Sequence, residues 1–307
     1  MKNRLWTRNY TLLMMATTLG CIGEIAGGYA LSLLVFDETR STLASAIVLA
    51  IQIVPGFLMP LLLAPWMDRM PRKPFLVGGD VLNGVLYAGA GVYLLLFRFS
   101  YVGYLCFSLL LATLSSFDQL AYNSIYPKLI PVGMEQKGYA VSAMLYPVIQ
   151  VLIMPVAAAL YELFGVGLLL IGQGTLSLLA ALIESRISIH EEKRLTEKRY
   201  TVRLWWQDIR EVGRYFQKEK GLRGLYAYMA VTNGVASGYG PVITAFFRTA
   251  PGLSMVLYSF FSVAEFAGRT VAGLLQYTVK IPAKRRFAMI FGVYQVYETM
   301  DMCLLWL

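Results

Sequence analysis

Glu24 is the one charge in "TLLMMATTLGCIGEIAGGYALSLLVF", residues 11–36. A charged side chain at the centre of a membrane helix costs about 2.5–3.5 kcal/mol on insertion scales, so it needs a reason to be there. Desolvation disfavours the ionised carboxylate. Glu24 is therefore either a carrier of an exchangeable proton or a protonated acid bonded to a neighbouring helix. Asp118, in "LLLATLSSFDQLAYNSIY", is a second proton-coupling candidate. It lies near the end of its apolar run, where hydration would also satisfy it. Glu265 and Arg269 are four apart and share a helical face, which makes them a candidate intramembrane ion pair or a substrate contact. Gln52, Tyr146, Gln150 and Tyr239 are polar groups on otherwise apolar runs. They could line a cavity for a mixed apolar and polar substrate, or simply pack. Chemistry of other kinds finds no support. The three cysteines, Cys21, Cys106 and Cys303, lie far apart inside apolar runs, without metal or disulfide spacing. The single histidine, His190, falls in a polar stretch. Neither H-E-x-x-H nor G-x-S-x-G occurs. An enzyme ranks last among the readings, and neither a metal nor a cofactor is expected.

The elements that position these groups follow from composition. The chain of 307 residues is 57% hydrophobic and 15% charged, whereas soluble domains carry about a quarter charged residues. Apolar stretches of bilayer-spanning length recur, at roughly 10–36, 43–66, 75–97, 101–121, 139–161, 165–184, 222–247, 254–279 and 287–307. Each is expected to be a helix, because a lone strand leaves its backbone groups unsatisfied in lipid. Glycines within the runs allow close helix approach; Pro55, Pro60, Pro147 and Pro155 are expected kinks. Of the 27 Lys and Arg, only Arg40, Arg98 and Arg248 fall on alternate segments opposite the N-terminus, and Arg269 falls in a span. The rest share the N-terminal side, which places the N-terminus in the cytoplasm. The net charge of +9 thus reports topology and gives no reason to expect nucleic acid.

Three regions result. Residues 1–184 form a six-helix transmembrane bundle. Residues 185–221 form a polar linker, and residues 222–307 form a partial bundle of three helices. In the linker, Trp205, Ile209, Val212 and Phe216 recur at helical spacing among Arg203, Arg210, Arg214 and Lys218. This is an amphipathic helix, lying either on the lipid surface or across the end of the bundle. A shift of 212 residues lays the first span on the seventh and the second near the eighth, and it lays Arg72, Lys73 and Phe75 on Lys284, Arg285 and Phe287. Parallel repeats of this kind are a transporter plan. By that register the second half is three spans short of the first.

The turn "APWMDRMPRKPF" between spans two and three resembles the major facilitator superfamily pattern G-x-x-x-D-R/K-x-G-R/K-R/K. Asp68, Arg69, Arg72 and Lys73 match it, while Ala64 and Pro71 replace its glycines. "CIGEIAGGYALSLLVFDETRS", "VGGDVLNG" with Asp80, and "FDQLAYNSIYPKLIP" are similar to the macrolide-efflux and enterobactin-exporter branch. "QVLIMPVAAAL" keeps only Pro155 of the antiporter signature G-x-x-x-G-P-x-x-G-G. The resemblance implies an all-α polytopic fold in a bacterial plasma membrane, with small-molecule and proton partners. It also implies that Asp68, Arg69, Arg72, Lys73 and Asp80 form a conformational latch between the halves; fixing topology is the plainer role for the basic residues. The family's latch partner is an eleventh span. The function implied is proton-coupled efflux of an amphipathic small molecule of the drug, macrolide or siderophore class. The alternative is a non-transporting remnant or assembly partner of the same fold.

Overall fold

The computed structural model describes residues 5–67, 71–188, 201–249, 255–279 and 282–301. Among them all regular structure is helical: α1 (Arg8–Thr39), α2 (Thr42–Met67), α3 (Lys73–Leu96), α4 (Tyr101–Leu129), α5 (Glu135–Ser185), α6 (Val202–Lys218), α7 (Lys220–Thr249), α8 (Met255–Thr278) and α9 (Ala283–Asp301). Asp68, Arg69 and His190 lie outside the described residues, as do residues 302–307 with Cys303. The all-α architecture follows from the bilayer's demand that backbone groups be satisfied within each segment. Hydroxyls inside the spans follow the same rule by bonding back one turn. Thr17 donates to the Leu13 carbonyl at 2.9 Å, and Thr18 to that of Met14 at 2.7 Å.

The described helices overlap the expected apolar runs, the last of which, 287–307, ends outside the described residues, and two extents differ. α4 continues to Leu129, beyond the expected end at 121, because its last turns bury Ile125, Tyr126 and Leu129 in protein. Spans five and six are nearly continuous, joined at Gly165, where φ is +71° and ψ is 179°. That region of backbone space is essentially open only to glycine. A straight helix of this length would far exceed a bilayer, so the chain turns back. Met134 and Val141, at the start of α5, share one core with Ile187, just past its end. The break therefore falls at Gly165, while Pro147 and Pro155 remain inside helix. Pro55, Pro60 and Pro65 likewise remain inside α2.

Close packing holds the bundle together. α3 crosses the second half of α5 (166–185) on paired glycines. A Cβ at Gly174 would stand 2.6 Å from the Gly84 carbonyl, and one at Gly91 would stand 2.5 Å from that of Gly167. Small residues of this kind let membrane helices gain dispersion contacts where lipid supplies no hydrophobic drive. α1 lies against both halves of α5, and α2 pairs with α4. Two buried clusters lie toward opposite ends of the bundle. At the end where α1 begins, Tyr10 and Tyr126 bury their hydroxyls 3.3 Å apart, and Tyr126 donates to the Gly138 carbonyl at 2.5 Å. At the other end Leu34, Val35, Val48 and Tyr104 pack together, with Tyr104 donating to the Leu31 carbonyl at 3.2 Å.

Among the described residues, α6 and α8 reach the bundle of α1 to α5 through identifiable contacts. Gln136 donates to the carbonyls of Gln276 and Val279 at 2.7 and 2.6 Å. The Lys137 ammonium stands 5.0 Å from the Tyr277 ring centre. Trp205 in α6 donates its indole N–H to the Leu62 carbonyl of α2 at 2.9 Å. Displaced by 212 positions, the starts of α1, α2 and α3 fall on, or within two residues of, those of α7, α8 and α9.

Candidate functional site

Two cavities lie within the bundle. A cavity of about 670 Å³ opens among α1, α2 and α4, lined by Glu24, Gln52, Tyr104, Ser108 and Asn123 among others. A second, of about 480 Å³, lies among α1, α3, α4 and α5. Glu24, Tyr87, Leu111, Ser115 and Gln119 border both. Glu24 thus stands at the junction, its side chain exposed to the space rather than packed against a neighbouring helix.

The second cavity collects acids from every helix around it. α1 contributes Cys21 and Glu24, α3 Asp80 and Tyr87, α4 Asp118 and Tyr122, and α5 Tyr146 and Glu184. Asp118 accepts a 2.5 Å hydrogen bond from the Asn83 amide, and its other oxygen lies directly on Gly79, where a Cβ would collide. Asp80 and Glu184 lie beside each other in this group. No described residue lining either cavity is Lys, Arg or His. Lys73 lies near the rim and donates to the Ser185 carbonyl at 2.6 Å.

The sequence candidates divide accordingly. Glu24, Asp118, Asp80, Gln52 and Tyr146 face the cavities. Gln150 is exposed and lines neither. The side chains of Tyr239 and Glu265 lie outside the described residues; Arg269 is exposed on α8. Of the turn motif, Arg72 reaches the Ser124 carbonyl at 3.5 Å and Lys73 that of Ser185, so both tie α3 to its neighbours' backbones. Asp80 stands apart from that turn, within the acid group. Glu184 was missed. At the edge of an apolar run it reads as a hydrated end, yet the structure buries it. Gln173 was missed as well; it fills the space above Gly27, where its amide oxygen leaves no room for a Cβ.

The two cavities thus place polar groups at membrane depth and meet at Glu24. The family model of the Major Facilitator Superfamily matches residues 11–296. No curated protein and no solved structure gives a significant match. With that match covering most of its length, the chain belongs to the major facilitator superfamily, as a multi-pass membrane transporter of small molecules.

Proposed function

We propose that the chain is a proton-coupled exporter of an amphipathic small molecule, working by alternating access with its N-terminus in the cytoplasm. The observation that carries this reading is the position of Glu24. It is the acid midway along α1, bordering both cavities at once. A group so placed can meet a proton from one side and substrate from the other. The mostly apolar lining, broken by Gln52, Ser108 and Asn123, suits a ligand with both apolar and polar parts. Asp118 and the Asp80–Glu184 pair give the proton further stations toward the end where α1 begins. The charge asymmetry of the turns supports the orientation. The break at Gly165 and the narrow α5–α8 contact are compatible with one group of helices rocking on another.

The test is transport in everted vesicles loaded with a panel of drugs, macrolides and catecholates. Proton-driven accumulation of at least one compound is expected. Glu24→Gln should abolish the proton dependence while leaving the amount of folded protein unchanged. Accumulation that is equally proton-driven in Glu24→Gln would remove Glu24 as the carrier.

A further inference from the structure

A third cavity, of about 600 Å³, lies between α3 and α4, away from Glu24. Val85, Gly89 and Tyr93 form one wall, and Gly103 and Phe107 the other. Gly89 and Tyr87 are two positions apart on α3, so they point to nearly opposite sides of that helix. Tyr87 borders both central cavities, and Gly89 therefore lies on the outer side of the bundle. Val85, on the same side, is 58% exposed. In a membrane this groove opens to lipid. Its depth comes from a missing side chain: a Cβ on Gly89 would meet nothing within 4 Å. Two of the few polar groups in its lining are already engaged. Ser100 Oγ accepts the Gly103 N–H at 3.3 Å, and the Tyr104 hydroxyl donates to the Leu31 carbonyl at 3.2 Å. The groove suits an aliphatic guest. Length and charge say which one. From Val85 to Leu94, both in the lining, α3 advances about 14 Å. That is close to half of the ~30 Å hydrocarbon core, the depth of one leaflet. Phe99 and Ser100 line the end at the α3–α4 turn, and Arg98 beside them is exposed. Arg98 is the one charged residue in 81–117. Its guanidinium suits a phosphate group, and the N-terminus of α4, which starts at Tyr101, favours the same negative charge.

We propose that the α3–α4 groove is a binding site for one phospholipid of the leaflet at that turn, with an acyl chain along Gly89 and Gly103 and the phosphate against Arg98. The site shares a wall with the larger central cavity. Leu31 and Tyr104 line both spaces, and the hydrogen bond between them joins α1 to α4. The acyl chain packs on the outside of that wall.

The experiment uses the full chain in maltoside micelles, which carry no phosphate, with a trace of phosphatidylglycerol bearing a diazirine midway along one acyl chain. After illumination, peptide mapping should find label on residues 85–107 at least about tenfold above that around Ile53, an exposed apolar residue of α2. Gly89→Leu fills the groove and should cut its label about tenfold. The α2 label should stay the same, and the unfolding temperature should not fall, since leucine favours helix over glycine. Arg98→Gln, on the exposed turn, is the second variant. It should lower phosphatidylglycerol labelling about fivefold, the worth of one basic residue at an anionic lipid surface, and leave labelling by the matching diacylglycerol unchanged. Label spread evenly over α2 and the groove, or undiminished in Gly89→Leu, overturns the site. Wild-type labelling as strong with diacylglycerol as with phosphatidylglycerol overturns the phosphate contact. A dimer that Gly89→Leu dissociates and lipid does not would give the face to a second copy of the chain, and overturns the lipid.

Discussion

Gly174 shows how a single missing methyl group sets the bundle's geometry. An added Cβ would stand 2.6 Å from the Gly84 carbonyl and 2.7 Å from the Ala88 nitrogen. Both obstacles are backbone, so neither can swing aside. Gly174→Ala should therefore separate α3 from α5 and destabilise the protein by about 1–3 kcal/mol. Thermal unfolding in mild detergent measures this. Gly20→Ala is the control, since nothing lies within 4 Å of its would-be Cβ; there the alanine should be neutral or slightly stabilising. Unchanged stability of Gly174→Ala would mean the crossing is looser than the backbone positions imply. The sequence announced that glycines matter, because many fall inside apolar runs. It did not reveal which of them meet another backbone. Gly84, Gly91, Gly167 and Gly174 read no differently from Gly20, since contact between chain positions so far apart has no local signature. The acids behave in the same way. Glu24 was legible because an isolated charge in a long apolar run has few explanations. Glu184 was not, because burial at a helix end depends on what packs there, and here that is Asp80 on another helix.

At the scale of elements, the α4–α5 turn carries a pH dependence that lies outside the spans. The Glu135 carboxylate accepts the Gly133 N–H at 2.9 Å, at a glycine with φ +84°. That bond, with the N–H of Glu135 itself and the nearby Arg286 charge, holds the carboxyl below its ordinary value of 4.5. The folded value is depressed, so the contribution is present above the unfolded value and is lost as pH falls through the folded one. Protection factors of residues 133–138, meaning exchange rates corrected for their intrinsic pH dependence, should thus be high at neutral pH and fall below about 4.5, the glutamate reference range. Glu135→Gln should exchange faster at neutral pH and show no such step. A step of the same size in Glu135→Gln would assign the titration to another group. The sequence placed α6 well, because Trp205, Ile209, Val212 and Phe216 keep helical spacing amid basic residues. Whether it rests on lipid or on protein was open. The indole bond from Trp205 to Leu62 and the ring contact between Phe216 and Tyr226 tie its ends to α2 and α7, yet Val212 and Trp206 stay exposed. The helix therefore straddles both descriptions: anchored to the bundle, with an apolar edge left for the bilayer surface.

For the whole molecule, membrane topology decides which aqueous face each turn of the chain meets. Hydropathy made the spans legible, because twenty apolar residues have few uses other than crossing a bilayer. It could not show that spans five and six are joined at one glycine, since "ELFGVG" contains no polar loop to mark the reversal. The basic residues supply the orientation. Val132, in the α4–α5 turn, is 85% exposed and lies on a segment expected on the cytoplasmic side. Arg98, between α3 and α4, is exposed and lies on a segment expected on the opposite face. The two are separated by α4 alone, so one crossing must place them on opposite sides. In a background without Cys21, Cys106 and Cys303, Arg98→Cys should react with a membrane-impermeant maleimide added to intact cells. Val132→Cys should react only after permeabilisation or in everted vesicles. The contrast should be about tenfold or more in labelling rate, because lipid exclusion of a charged reagent is close to absolute. Equal labelling of both positions would deny that α4 crosses the bilayer. Reversed labelling would leave the fold intact but overturn the placement of the N-terminus in the cytoplasm.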